Sequence, residues 1–533
     1  FQAIDLSRAK MSLKDTDIRR MIQAVASLHG AEPATAIPRP VPLAPQINRR
    51  TAIAVGSTAV LVSSSVAAWQ MGFLTQAAAA NRIAVLPFTN IGKDAKQTYL
   101  ADGLCAEIRS ILAQNGALEV IGQSSSESFA NSKIDGIAIA KKLKADFLVD
   151  GAVQVEGGII RITSELIEGK SGINRLPQSF EKPTRDILSV QREIAGAISA
   201  KLTNKIAAGN LTQVTLGGTA DVRAFDHYLR GKDLYTHAKN EAEEREAVSQ
   251  FEAAVAADAK FAAAHASKAK SLIAVAGQYG SASEIKQYLG AAQISARKAI
   301  ALAPKLAVAH STLALLLFQD LDIKAARAPF DRSRRLGEGD APVMALFAYY
   351  CAATGRDREA VVAVDRALLL DPLNAQVHRI AGSVHFAARR FAETVGHIRQ
   401  TLELSPNLPD AHARIGMVLL AQNKNSEALT EFERDTHKWS KLAGVAIAQY
   451  RLGNGRAAKA AMAELTNDTG TVSLFQQAQI LAQWGQLDAA VAMLERARGQ
   501  RDGGMTALRY DLMLDPLRKL PRFIRLLKSV GFD

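Results

Sequence analysis

Between Thr51 and Leu74 the chain reads TAIAVGSTAVLVSSSVAAWQMGFL, an uncharged run with Arg49 and Arg50 before it and no basic residue until Arg82. Coiled as a helix at about 1.5 Å per residue, it would extend about 36 Å, enough to cross a hydrocarbon core of about 30 Å. The pattern predicts one transmembrane helix over 51–74. A cleaved signal peptide fits poorly, because 50 residues precede the run. A buried core helix is the stronger alternative, since Ala, Ser and Thr are frequent and Leu is scarce. Core helices of that length usually carry a polar face, however, and this run has no charged position. Trp69 suits an interfacial anchor, and small residues are common where membrane helices pack. The Arg pair, with Arg39 upstream, places the amino-terminal side in the cytoplasm. The large remainder is then extracytoplasmic, periplasmic in a bacterium.

Before this run, FQAIDLS reads as a strand end. Leu13, Ile18, Met21, Ile22, Val25 and Leu28 then fall on one helical stripe. Residues 30–50 are rich in Pro and Ala and predict an extended linker. Residues 1–29 are expected to be the tail of a cytoplasmic domain. The chain opens on Phe1 and not Met, so it is expected to begin inside a longer protein or to have lost its start by processing.

After the run, residues 81–205 alternate between strand and helix periods. NRIAVLPFTN is a buried strand closed by a Pro-containing turn, and TYLADGLCAEIRSILAQN is an amphipathic helix through Leu100, Leu104, Ile108, Ile111 and Leu112. LEVIG and DGIAIAKKLK give a second strand and helix. ADFLVDGAVQVEG and GIIRITSELIEG alternate around Glu156-Gly157-Gly158, a hairpin signature. A final helix is expected from Arg185 to Leu202. Together these predict a compact α/β domain.

From residue 222 the pattern repeats. Ala307, Ala341, Ala375 and Pro409 are spaced by 34 residues, the tetratricopeptide period. Counting from each start, the twentieth position holds Ala326, Ala360, Thr394 and Ala428, and the twenty-fourth Phe330, Val364, Ile398 and Phe432. Small residues let paired helices approach, and the larger ones fill the gap to the next pair. Pro304, Pro372 and Pro406 stop the second helices. Ala247, Phe251 and Ala254 mark an earlier unit, and Ala458 and Ala490 two later ones. The count is about eight repeats over 222–505, with 506–533 expected as a helical cap on the last apolar face. The fold class is mainly α: one transmembrane helix, an α/β domain, then an α-solenoid.

Two segments resemble known families. The phrases IAVLPFTN (83–90), YLADGLCAEI (99–108), LEVIGQSS (118–125), DFLVDGAVQ (146–154), IIRITSELIEGKSG (159–172) and SVQREIAGAIS (189–199) are similar to the amino-terminal domain of TolB and its relatives in membrane-bound bacterial regulators. That resemblance implies an assembly of a cytoplasmic TIR, winged-helix or cyclase-like domain, one span, this module and helical repeats. Some such chains are labelled adenylate cyclases, but no cyclase catalytic motif stands in this sequence. FQAIDLS and the helix after it resemble the tail of a bacterial TIR-like domain, whose NAD-cleaving glutamate would lie upstream. The end of another αβ module, such as a winged helix, is the alternative.

Charge changes this picture little. The net charge of +13 over 533 residues invites a nucleic-acid reading. The basic residues are instead mixed with Glu and Asp over helical segments, with no concentrated run, so a solvated helical surface fits better. No nucleic acid is expected through these residues. Cys105 and Cys351 are far apart among apolar neighbours and read as buried thiols, not a disulfide.

Candidate chemistry is sparse. His265, His310, His378 and His412 occupy the fourth position of their repeats, and successive repeats separate them by about 10 Å, too far for shared ligation at about 2 Å. Ser124, Ser125 and Ser126 follow a strand without a glycine pattern and read as a strand-end loop; Asp102-Gly103 reads as helix-start geometry. No catalytic, metal or cofactor site is expected. The surface that acts is expected to be the inner wall of the superhelix, where Ser311, Phe318, Tyr349, Arg379, Ser383 and Phe386 form one strip suited to an extended peptide. The reading is therefore a bacterial inner-membrane protein, single-pass with a cytoplasmic amino terminus. Its periplasmic α/β and repeat domains bind a protein or peptide partner and relay to a cytoplasmic domain, with self-association as one route of transmission. The alternatives are the regulatory part of a TIR-domain NAD hydrolase or of a membrane-tethered winged-helix transcription regulator.

Overall fold

In a computed structural model, the residues described are 81–92, 98–113, 118–130, 132, 134–203, 216–279, 282–469 and 473–532. The expected cytoplasmic tail (1–29), linker (30–50) and membrane helix (51–74) lie outside them. Among the described residues, no helix is long and apolar enough to cross a membrane.

The α/β region is built on one six-stranded sheet. Its strands are β1 (Asn81–Val85), β2 (Thr89–Asn90), β3 (Leu118–Val120), β4 (Phe147–Glu156), β5 (Ile159–Glu168) and β6 (Gln178–Pro183). The order is β3-β1-β4-β5-β6, with β2 pairing β4. β1 runs parallel to β3 and β4, while β4, β5 and β6 are antiparallel, with Val153 opposite Ile162. Along β5, Ile160, Ile162, Ser164 and Leu166 alternate inward, as a half-buried strand requires. β6 went unread in the sequence because QSFEKP carries little apolar signal.

Four helices accompany the sheet: α1 (Thr98–Ala113), α2 (Gln123–Glu127), α3 (Gly136–Leu143) and α4 (Ile187–Thr203). α1 and α4 share a core with Ile83, Val85, Val149, Val153, Ile160 and Ile162. α3 packs Ile139, Ala140 and Leu143 against Ala84, Leu86 and Leu148 from a separate core. Asp135 caps α3, accepting from the Ala138 amide at 2.7 Å, and Lys144 closes it in the left-handed region at φ 52°.

Sixteen further helices follow as eight pairs among the described residues. They are α5 (Val222–His237) with α6 (Glu241–Ala257), α7 (Ala262–Tyr279) with α8 (Ala282–Leu302), α9 (Ala307–Gln319) with α10 (Ile323–Leu336), and α11 (Ala341–Ala353) with α12 (Asp357–Leu370). The series continues with α13 (Ala375–Ala387) and α14 (Phe391–Leu404), α15 (Ala411–Ala421) and α16 (Asn425–Arg434), α17 (Lys438–Arg451) and α18 (Gly455–Thr469), and α19 (Leu474–Gln483) and α20 (Leu487–Gly499). The fold is thus mainly helical, a solenoid of the tetratricopeptide type behind a small α/β region. The repeat positions do the packing: Ala326, Ala360, Thr394 and Ala428, with Phe330, Val364, Ile398 and Phe432, are all 0–1% exposed. Each such large apolar side chain contributes about 1.5–3 kcal/mol relative to solvent exposure. Pro304, Pro372 and Pro406 each stand two residues beyond a helix end.

The α/β region is not a separate bead. Phe225, Tyr228, Leu229, Phe251 and Phe261 of the first pairs belong to the same apolar core as α1 and α4. Gly103 sits in the second turn of α1, not at its start, and a Cβ there would fall 2.7 Å from Leu229 Cδ2. Its role is close approach of α1 to α5. On its other side the α/β region meets the turns that join successive pairs. The Gly122 amide donates to Leu370 O at 2.7 Å, Arg82 to Leu369 O at 2.5 Å, and Arg366 pairs with Glu119 at 2.5 Å.

The triple serine resolves here. It forms α2 and not the expected loop, and it carries this contact. Asp371, 1% exposed, accepts from the Ser125 amide at 2.8 Å and hydroxyl at 2.5 Å. Ser125 Oγ accepts from the Leu373 amide at 2.8 Å, and Asn374 donates to Ser124 Oγ at 2.9 Å. A Cβ on Gly122 would lie 2.3 Å from Asp371 Cγ, so only glycine lets the two surfaces close.

Candidate functional site: the inner wall and its occupant

The first helix of each pair presents one face to the inside of the solenoid. From α9 onward, parts of that face are covered by residues 503–517 of the same chain. Two runs of 3₁₀ helix, Gly503–Ala507 and Leu512–Leu517, and the helix α21 (Pro521–Val530) follow α20. α21 packs on the last pair, where Arg522 forks onto Glu495 at 2.9 and 2.5 Å. The 3₁₀ stretch instead runs along the inner helices. Met505, Leu508, Leu512, Met513, Leu514 and Leu517 are all buried in the main solenoid core. Val530 and Phe532 join that same core, and Gly531 between them lies against Ile323 of α10. The closing stretch is thus more than the expected cap.

Polar contacts hold it in register. Asp502 accepts from the Phe475 amide at 3.0 Å, and Asp511 accepts from Gln479 Nε2 at 2.9 Å. Gln483 Nε2 donates to Met513 O at 2.6 Å, and Arg389 grips Asp515 through both terminal nitrogens at 2.8 and 2.6 Å. Arg501 pairs with Asp320 across to α9. The Tyr510 ring stands edge-on to Phe386 at 6.5 Å, and the Arg414 guanidinium lies 4.8 Å from the Phe386 centroid. Burial, then the neighbouring Tyr349, pushes the Tyr510 phenol well above its ordinary value, and burial raises the Asp511 carboxyl. Burial works against the Arg414 charge, but Asp410, Tyr510 and Asp511 outweigh it and hold the guanidinium above its usual value.

The six strip residues predicted from the sequence separate accordingly. Phe318 is fully buried among Phe330, Tyr349 and Tyr350 at 5.6–6.4 Å. Ser311 and Ser383 are buried and return their hydroxyls to Val308 O and Arg379 O in their own helices. These three are packing residues, because the inward positions of a tightly wound pair face neighbouring helices. Arg379 is half-buried and donates to Gln376 at 2.9 Å. Tyr349 and Phe386 meet the 3₁₀ stretch of this same chain, with Tyr349 Oη 3.3 Å from Thr506 Oγ1 and the Phe386 ring edge-on to Tyr510. Arg389, Arg414, Gln479 and Gln483 were missed. The signal for them was the acidic and aromatic RYDLMLDPL, a natural counterpart for an Arg-bearing groove.

The repeat histidines also acquire roles. The imidazoles of His265, His310 and His378 each donate from Nε2 to the carbonyl six residues earlier, at 2.9–3.1 Å, bracing the turn before their helix. His412 departs from this and meets Glu431 at 2.6 Å through Nδ1. Among the described residues no group of three or more His, Cys, Asp or Glu is placed to hold a metal. Both cysteines are buried and unbridged, and burial pushes each thiol up to about 12.

His397 yields a pH prediction. With its Nε2 donating, neutral His378 offers Nδ1 as an acceptor, so the His397 Nδ1–H donates to it at 3.2 Å. His397 also stacks on His385 at 5.3 Å. Burial, then His378 and His385, lowers the His397 pKa to about 4. The unfolded chain therefore takes up the proton first, near 6.5. Stability from this site is full above about 6.5 and is lost as pH falls through about 4, amounting to about 1–3 kcal/mol. Urea denaturation at pH 7 and pH 4.5 should show that loss, and His397→Asn should flatten the slope.

The comparisons place these regions. A family model described as the HilA/YgeH-like transcriptional regulator, second domain, matches residues 79–195. The match falls where the sequence phrases resembled TolB. The protein named "Putative adenylate cyclase 3" of Rhizobium meliloti (strain 1021) is 30% identical over 185 residues, 35% of this chain. The chain spans 31% of the length of that relative. Solved structures sharing the helical pattern include the pilF protein of Pseudomonas aeruginosa, 17% identical, covering 37% of this chain and 90% of that one at a TM-score of 0.30. Yeast Tom70 is 15% identical, covering 65% of this chain and 81% of its own at 0.35. The assignment of the solenoid rests on this chain's own helices.

Proposed function

We propose that this chain is the partner-docking part of a membrane-anchored bacterial regulator, with its α/β and repeat regions on the periplasmic side. The observation that supports it is the inner wall's grip on residues 503–517. That wall receives a segment of 3₁₀ turns through an edge-on aromatic pair, an Arg–carboxylate fork and a glutamine amide on a main-chain carbonyl. A partner segment with aromatic and acidic residues in similar spacing uses the same contacts when the chain's own segment is released. The partner's binding and the release of residues 503–517 are then one equilibrium, and that equilibrium is the relayed signal.

A labelled peptide of residues 503–520 tests the docking. It should bind saturably to a full-length Tyr510→Ala chain, whose own segment is loosened, and weakly to the unsubstituted one. Failure to bind either chain defeats the reading. Alkaline phosphatase fused after Asp533 tests the placement, and inactivity of that fusion alongside a fluorescent cytoplasmic one would defeat it.

The match to the second domain of a transcriptional regulator favours a second reading, in which the output domain is a basic winged helix encoded upstream of Phe1. The reading frame before Phe1 decides this. A TIR-like domain there would instead favour NAD hydrolysis.

A further inference from the structure

A cavity of about 320 Å³ lies where the α/β region meets the turns of the solenoid. From the α/β side Arg109, Val120, Ile121 and Gln123 line it, and from the solenoid side Lys232, Lys305, Leu306, Gly339, Asp340 and the start of α11. Arg109 is only 9% exposed, and its one hydrogen bond among the described residues goes to Val85 O at 3.1 Å. Its Nε has no partner, and among the described residues no carboxylate pairs with it. A guanidinium so placed bears much of the cost of desolvation without a counter-ion. The other charges do not repair this. Lys232 is already matched by Glu107 at 3.1 Å, and Asp340 is engaged in capping α11 through the Val343 amide at 3.1 Å. Asp371, Glu127 and Asp102 act on Arg109 through space only. Lys305, exposed and part of the lining, adds a second cation that has no ion pair among the described residues. Beside these cations the wall mixes apolar Val120, Ile121, Leu306 and Val308 with the polar Ser110 and Gln123 and the Asp340 carboxylate.

We propose that this cavity binds a small organic anion, its phosphate or carboxylate on Arg109 and Lys305 and its apolar body against Val120, Leu306 and Val308. The volume lies at the lower end of the range of small-molecule sites. Because both halves of the unit line the cavity, such a ligand ties them together, stabilising their contact in proportion to its occupancy. Docking on the inner wall and binding in this cavity are separate, so either fails without the other.

Titration calorimetry on the full chain provides the test, with phenyl phosphate, benzoate and the neutral control benzyl alcohol as probes. At least one anion should bind to one saturable site, and which one wins assigns the headgroup. Lys305→Gln should weaken it about tenfold, and Arg109→Gln should weaken it more, the size expected for losing a hydrogen-bonded charge. Lys305 is exposed, so its replacement reads binding even if Arg109→Gln disturbs folding. The proposal is overturned if neither anion saturates by about 10 mM. It is equally overturned if benzyl alcohol binds as well as the anions, or if Lys305→Gln leaves the titration unchanged.

Discussion

Replacing Asp371 with alanine is expected to part the α/β region from the solenoid turns, at a cost of about 3–5 kcal/mol. The carboxylate is buried and receives the Ser125 amide, the Ser125 hydroxyl and Asn374 Nδ2. Removing it leaves three donors without an acceptor in a dry contact, and such orphans cost far more than an average hydrogen bond is worth. It also strips away a negative charge that acts on buried Arg109. Hydrogen exchange should accelerate over residues 121–129 while α15 to α18 keep their protection. Gly122→Ala attacks the same contact sterically, since its Cβ would enter the Asp371 side chain, and should reproduce the pattern. An unchanged denaturation midpoint in both variants would mean that the contact carries no stability.

Tyr510→Ala is expected to loosen residues 503–517 from the inner wall, again by about 3–5 kcal/mol, as for other buried aromatics cut back to alanine. The ring fills the space beside Phe386, and its phenol engages Tyr349. By contrast Arg389→Ala, which removes a partly exposed pair with Asp515, should cost only about 0–1 kcal/mol. Exchange of the 503–517 amides separates the two cases. A Tyr510→Ala chain as protected there as the parent would show that the aromatic contact is incidental.

What could be read in advance followed the reach of the pattern. The 34-residue period exposed Ala326, Phe330 and their equivalents because each repeat solves the same local packing problem. The β4–β5 hairpin was visible because Ile160, Ile162 and Leu166 alternate beside a glycine pair. The contacts that join regions were not visible. Ser125 and Asp371 are 246 positions apart, and nothing in QSSSE announces a distant carboxylate. On the strip read for the inner wall, Tyr349 and Phe386 touch Thr506 and Tyr510 of the same chain, whereas Ser311, Phe318 and Ser383 are buried in helix packing, which a position count does not convey. The occupant itself was misjudged, since 3₁₀ turns have too few residues to show a period.

Arrays of helical pairs ordinarily melt from their ends inward, each unit leaning only on the next. Gly531 seated against Ile323, with Val530 and Phe532 in the same apolar core, converts the six pairs from α9 to α20 from an open row into a loop clasped at both ends. Such a clasp makes those pairs come apart together, and it cannot fasten until synthesis has passed Phe532.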